Sequence, residues 1–134
     1  MGTISQWFNQ IYQSLIPRVT NRGQIAEHKA EHFLLKQGLT LLVRNYQTKA
    51  GEIDLIMSHQ QALVFVEVRY KSNTEWAHPA ESVTVQKQRK IIKAAKHYLL
   101  KHDPTGRKAC RFDVIAMSGE LESPKINWLQ HAFY

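Results

Sequence analysis

The chain has 134 residues, enough for one hydrophobic core and too few for two independent ones. An apolar share of 43% and a charged share of 22% are globular values that exclude intrinsic disorder, and no apolar run reaches the ~18 residues of a membrane span. The start of the chain lacks the basic region and apolar core of a secretory leader, so cytoplasm is expected; there the formal charge of +7 draws polyanions, nucleic acid first among them, although a protein that is merely basic has the same balance.

In chain order, residues 4–16 place Ile4, Trp7, Phe8, Ile11, Tyr12, Leu15 and Ile16 at helical spacing, and Pro17 ends the run. The polar face of this helix is Gln, Asn and Ser, which favours packing onto the domain, or onto a second copy as a homodimer, over lying on a membrane. The expected division is an N-terminal amphipathic helix over 1–20 and an α/β domain over 21–134. Asn21 is placed to cap a second helix that runs to Gly38, with Ala26, Ala30, Phe33 and Leu34 as its inner stripe. Runs at 40–46, 51–57 and 62–70 read as strands, and their connections are short enough for antiparallel hairpins. The third run is apolar on both sides except at Glu67 and Arg69, as a covered central strand should be.

A helix near 84–102 carries Ile91, Ile92, Ala95, Tyr98 and Leu99 on one side and Lys87, Arg89, Lys90, Lys93 and Lys96 over the rest. A fourth strand over 110–117 and a last strand or short helix over 125–133 complete the chain. This order is that of an α/β fold: a mixed central sheet of four to five strands flanked by helices, plus the extra N-terminal helix. The single cysteine, Cys110, precedes an apolar run and is expected as a buried, reduced thiol.

Two acids interrupt the apolar strands. Side chains alternate along a strand, so Glu52 and Asp54 share one side of the second, and Leu63, Phe65, Glu67 and Arg69 one side of the third. A tight hairpin makes the two strands neighbours and brings Asp54 within reach of Glu67. Two ionised carboxylates ~4 Å apart repel by about 4 kcal/mol at an effective dielectric of about 20. A divalent cation removes that penalty, and oxygen ligands with open water positions suit Mg²⁺. Internal ion pairs with Arg69, Lys71 or Arg111 are the alternative, and spacing does not choose between them.

Glu27 lies about 20° around an ideal helix from Leu34 and flanks the buried stripe, either as a third acid aimed at the sheet or as a boundary residue. His28 and His32 have the i, i+4 spacing of a zinc pair but no third ligand nearby, and are expected to face solvent. The lysine face of the 84–102 helix, with Lys108 and Arg111, is either a solvated surface or a track for a phosphodiester backbone through Lys87, Lys90, Lys93 and Arg111.

GEIDLI at 51–56 and VFVEVRYK at 64–71, with the Ala26–Glu27 pair, RFDV at 111–114 and HAF at 131–133, resemble the YraN-like family of small bacterial proteins over roughly residues 23–133. That family is similar to the restriction-endonuclease and Holliday-junction-resolvase fold, whose motif is a strand Asp followed by a Glu-x-Lys strand. The resemblance implies Asp54 and Glu67 as ligands of Mg²⁺ (or Mn²⁺), completed by the backbone carbonyl of Val68, with Glu27 as the acid of the first helix. It further implies hydrolysis of phosphodiester bonds in DNA, structured or branched forms included.

Two positions depart from the motif. Ile53 replaces a proline, at no chemical cost. Arg69 replaces the lysine, and a guanidinium stays charged where an ammonium can lose a proton and activate water. Arg69 can still stabilise charge on phosphorus, Lys71 is the substitute lysine along the same strand side, and Gln86 is placed to position water or phosphate. Returning lysine to position 69 is expected to raise any cleavage rate. The candidate functions are thus a Mg²⁺-dependent endonuclease, a nucleic-acid-binding module of the same fold without turnover, and a protein-interaction domain docking through Trp7, Phe8 and Tyr12.

Overall fold

The computed structural model describes residues 6, 10, 21–72, 76 and 78–134. The expected helix over 4–16, and the 1–20 segment that contains it, lie outside the described residues except for Gln6 and Gln10, both helical. Helix α1 spans Arg22–Lys36, and the Asn21 side chain caps it by accepting from the Gln24 amide at 2.8 Å. The helix stops at Gly38, whose φ of +95° is cheap only for glycine.

Strands β1 (Thr40–Gln47), β2 (Glu52–His59) and β3 (Ala62–Lys71) form the expected antiparallel meander. A 3₁₀ turn, Pro79–Ser82, leads to helix α2 (Val85–His102), and strands β4 (Cys110–Ser118) and β5 (Lys125–Phe133) follow. Strand β4 joins β3 in parallel, and α2 is the crossover that a parallel pair requires. The last segment is a strand, antiparallel to β4. The result is one five-stranded mixed sheet in sequential order, with β3 at its centre.

Among the described residues, one helix covers each face. Under α1, Ala26, Ala30 and Leu34 pack on Leu55, Met57, Val64, Val66, Ile115 and Met117. Under α2, Ile91, Ala94, Ala95 and Tyr98 pack on Ile53, Ile56, Leu63, Phe65 and Val114. Among the described residues no helix is long and apolar enough to cross a membrane.

Two expectations are corrected. Cys110 is exposed: it is the first residue of β4, α2 has already ended at His102, and burial along β4 begins only at Asp113. His28 and His32 are half-buried instead of facing solvent. The buried arc of α1 is wider than its apolar stripe because Arg44 holds Glu31 inward through a two-pronged contact of 2.6 and 2.9 Å. His32 accordingly has a lowered pKa, chiefly from desolvation, with Lys36 and Lys29 adding to it.

Candidate active site

Strands β2 and β3 are paired from His59↔Ala62 to Leu55↔Val66. Continuing that register would place Asp54 opposite Glu67, but the ladder stops one step short. Strand β2 stays with β1 as far as Gln47↔Glu52, and β3 stays with β4 as far as Lys71↔Ser118, so the two strands part at these acids. The Val68 N–H turns into the opening and donates to Asp54 Oδ2 at 2.8 Å. Strand β2 also loses clean alternation here: Ile53 and Ile56 pack in the same cluster although an ideal strand would face them oppositely.

The opening sets the electrostatics. Asp54 and Glu67 are 6% and 3% exposed. Glu67 alternates with Leu63 and Phe65 and lies on the α2 side. Burial, and then the charge of Asp54, push its carboxyl up to about 8, against the opposing pull of Lys87 and Arg69. Glu27, from α1 on the other side, is pushed up to about 7 by burial and then by Asp54. Asp54 raises both carboxyls and lines one small cavity with Glu27, so the three acids interact across the gap in the sheet.

The cations near Glu67 do not close the site. Lys87 Nζ stands 3.8 Å and Arg69 Nη1 4.0 Å from Glu67 Oε1, both beyond hydrogen-bonding length. Among the described residues, Glu67 Oε2 is buried with no hydrogen-bond donor. Among the described residues no three His, Cys, Asp or Glu side chains gather as a closed metal cage. Two buried carboxylates, one with an unmet oxygen, fit Mg²⁺, which takes one or two carboxylates and keeps several waters.

The remaining predicted residues are divided. Glu27, Asp54, Glu67, Arg69 and Lys87 come together, and Val68 joins them through its N–H. Lys71 does not: its Nζ lies 5.2 Å from the centre of the Trp76 ring. Trp76 donates to the Met117 carbonyl at 3.1 Å and Tyr70 to the Gly119 carbonyl at 2.6 Å, which ties both rings to the fold. Gln86 is exposed in the first turn of α2, and Lys93 is exposed further along. Lys90 packs on the β1–β2 turn, where a Cβ on Gly51 would meet Lys90 Cβ at 3.1 Å and its carbonyl oxygen at 3.3 Å. The glycine of GEIDLI is therefore what lets α2 close on that turn.

Arg111 pairs with neither Asp54 nor Glu67. It alternates with Asp113, Ile115 and Met117 toward α1, on the opposite face from Glu67. Its Nε binds Asp113 at 3.0 Å and its Nη2 meets His59 Nδ1 at 3.0 Å, which withdraws it from the basic surface. Asp113 is fully buried and accepts also from Trp128 Nε1 at 2.9 Å and the His131 amide at 3.2 Å. Sequence reasoning missed Asp113; its signal was a charged Arg-x-Asp pair inside an apolar strand. It also missed Lys87 as a neighbour of Glu67, which no local pattern encodes.

A protein-family description, "Uncharacterised protein family UPF0102", matches residues 26–117, more than half of the chain and all of the acids and cations of the site. Among similar proteins, a UPF0102 protein of Aeromonas hydrophila is 46% identical over 126 residues, 93% of this chain and 94% of that protein. One from Coxiella burnetii is 46% identical over 110 residues, 82% of this chain and 89% of its own length. One from Saccharophagus degradans is 48% identical over 111 residues, 83% and 91% of the two chains.

Proposed function

We propose that this chain, which belongs to the uncharacterised protein family UPF0102, is a metal-dependent nuclease that hydrolyses phosphodiester bonds of DNA at the gap between β2 and β3. The observation that carries this reading is the meeting of Asp54 and Glu67 where the strands part, with burial and mutual repulsion left without a full counter-charge. Such a pair is costly as architecture and useful as a cation site.

Asp54 and Glu67 would hold Mg²⁺ or Mn²⁺, which supplies a lowered pKa for water and charge stabilisation on the phosphate. The chain's own residues prepare the rest. The Val68 N–H fixes one oxygen of Asp54. Burial and the charge of Asp54 raise the Glu27 carboxyl to about 7, so near neutral pH it is protonated part of the time and its charge beside Asp54 is reduced. Arg69, 43% exposed at its side chain, presents a permanent charge to an incoming phosphate. Lys87, Lys90 and Lys93 follow one another along α2 and would track a phosphodiester backbone with salt-sensitive, sequence-tolerant affinity. The preference for structured or branched DNA is a fold analogy.

The test is cleavage of linear, flapped and four-way DNA in Mg²⁺ and Mn²⁺, by the wild type and by Asp54→Asn. Cleavage that disappears in the variant while DNA binding persists is the expected result. Binding with no cleavage in either metal would leave a nucleic-acid-binding module instead. A chain that binds no nucleic acid at ~50 mM salt, where electrostatic affinity is strong, would be neither.

A further inference from the structure

We infer that Lys87, in the first turn of α2, is a catalytic residue of this site, the cation that contacts the scissile phosphate and the attacking water. The inference rests on the nuclease reading above and deepens it: the site's lysine comes from the crossover helix, not from β3.

Geometry separates Lys87 from the other lysines. Its Nζ is 3.8 Å from Glu67 Oε1, while Lys71 stands over Trp76 and the side chains of Lys90 and Lys93 are exposed. At that distance the ammonium is held near the acid without being consumed by a hydrogen bond, and its donors remain available to a second anion. Arg69 lies slightly further away and is the more exposed, with 43% of its side chain accessible against 34% for Lys87. A charge in the less hydrated position acts more strongly on a phosphate.

The placement is also built into the fold. The Thr84 hydroxyl caps α2 by accepting from the Lys87 amide itself at 3.2 Å. Gln88 Nε2 donates to the Val83 carbonyl at 3.0 Å, and Val83 and Ser82 are buried. Ile91 and Ala94 fasten the next turn to the sheet. The helix start is thus fixed by its cap and its core, and one short tether carries Nζ to Glu67. The positive end of the helix adds to the attraction for phosphate.

In the hydrolysis, a water oxygen bonds to phosphorus while the bond from phosphorus to the leaving sugar oxygen breaks. The leaving oxygen keeps the electron pair and takes up one proton; the other proton of the water stays with the new phosphomonoester or passes to solvent. Lys87 neither gains nor loses a proton. Its hydrogen bonds hold the water and a non-bridging oxygen as negative charge grows there.

Lys87→Ala, Lys87→Arg, Asp54→Asn and a charge-matched control, Lys101→Ala, would be compared with wild type. The readouts are Mn²⁺ binding by electron paramagnetic resonance, duplex affinity in Ca²⁺, and single-turnover cleavage in Mg²⁺. Lys87→Ala should slow cleavage by about 10²–10³-fold while Mn²⁺ binding persists. Lys87→Arg should recover part of the rate, a rescue that a purely structural side chain would not give, and Lys101→Ala should match wild type. An active wild type with an inactive Asp54→Asn and an undiminished Lys87→Ala overturns the inference and leaves the nuclease reading standing. Joint loss of Mn²⁺ binding and cleavage in Lys87→Ala, unrescued by arginine, also overturns it. A wild type that cleaves nothing in either metal overturns the nuclease reading and the role of Lys87 with it.

Discussion

Asp113 and Glu67 sit on adjacent strands one register step apart, both buried, on opposite faces of the same sheet. Toward α1, Asp113 is met by a guanidinium, an indole N–H and a backbone N–H. Toward α2, among the described residues, Glu67 has two cations held off beyond hydrogen-bonding length and one oxygen with no donor. A buried charge with matched donors is compensated, whereas a buried carboxyl without them is costly unless a proton or a cation neutralises it. The two faces of this sheet differ in that respect.

The largest expected effect belongs to the satisfied side. Asp113→Ala strands the Arg111 charge and releases the His131 backbone, whose φ of +52° the Asp113 contact helps to hold, so denaturant unfolding should show a loss of about 3–5 kcal/mol. A loss as small as that of a surface substitution would dissolve the contrast.

On the other side the sign reverses. Glu67→Gln removes a charge that burial and Asp54 both oppose, so the metal-free variant should be more stable than wild type at pH 8.5 while losing Mn²⁺ binding. The pH dependence follows from the raised carboxyls. The unfolded chain releases these protons near the ordinary value of 4.5, whereas the folded chain keeps that of Glu27 to about 7 and that of Glu67 to about 8. Between those values the folded state binds more protons, so stability falls as pH rises from 5 through 8. Metal-free wild type should lose melting temperature across that window, and Glu67→Gln should lose less of it. A flat wild-type profile would mean that the acids are already compensated.

The smallest effect is expected at Arg69. From sequence alone, returning lysine there should raise cleavage. With Lys87 already beside Glu67, the gain of Arg69→Lys should stay below about tenfold, the equivalent of ~1.4 kcal/mol. A larger gain in single-turnover rate would place the missing lysine on β3 after all.

Most of the fold was legible because its signals are local. The Asn21 cap, the three strand runs, the short hairpins and the amphipathic 84–102 helix each follow from spacing within one element. The convergence of Asp54 and Glu67 was legible for the same reason, since one hairpin and one alternation rule suffice. What escaped depends on how elements dock. Lys87 reaches Glu67 only because a crossover helix lands with its first turn over the gap. Arg111 turns away because β4 enters in a register that places it on the α1 face. Two partners of Asp113, the Trp128 indole and the His131 amide, come from another strand, and the exposure of Cys110 depends on where α2 ends.

The bare backbone at Gly51 lies beside that docking. Helix α2 rests directly on it, so the height of the helix above the hairpin is gauged by a single missing methyl group. Restoring that methyl would act as a wedge of a few tenths of an ångström against an unyielding carbonyl three residues from Lys87, tilting the ammonium relative to the acids without altering any polar group. The spacing between charge and counter-charge in this family member is thus tuned sterically, by a residue that takes no part in the chemistry.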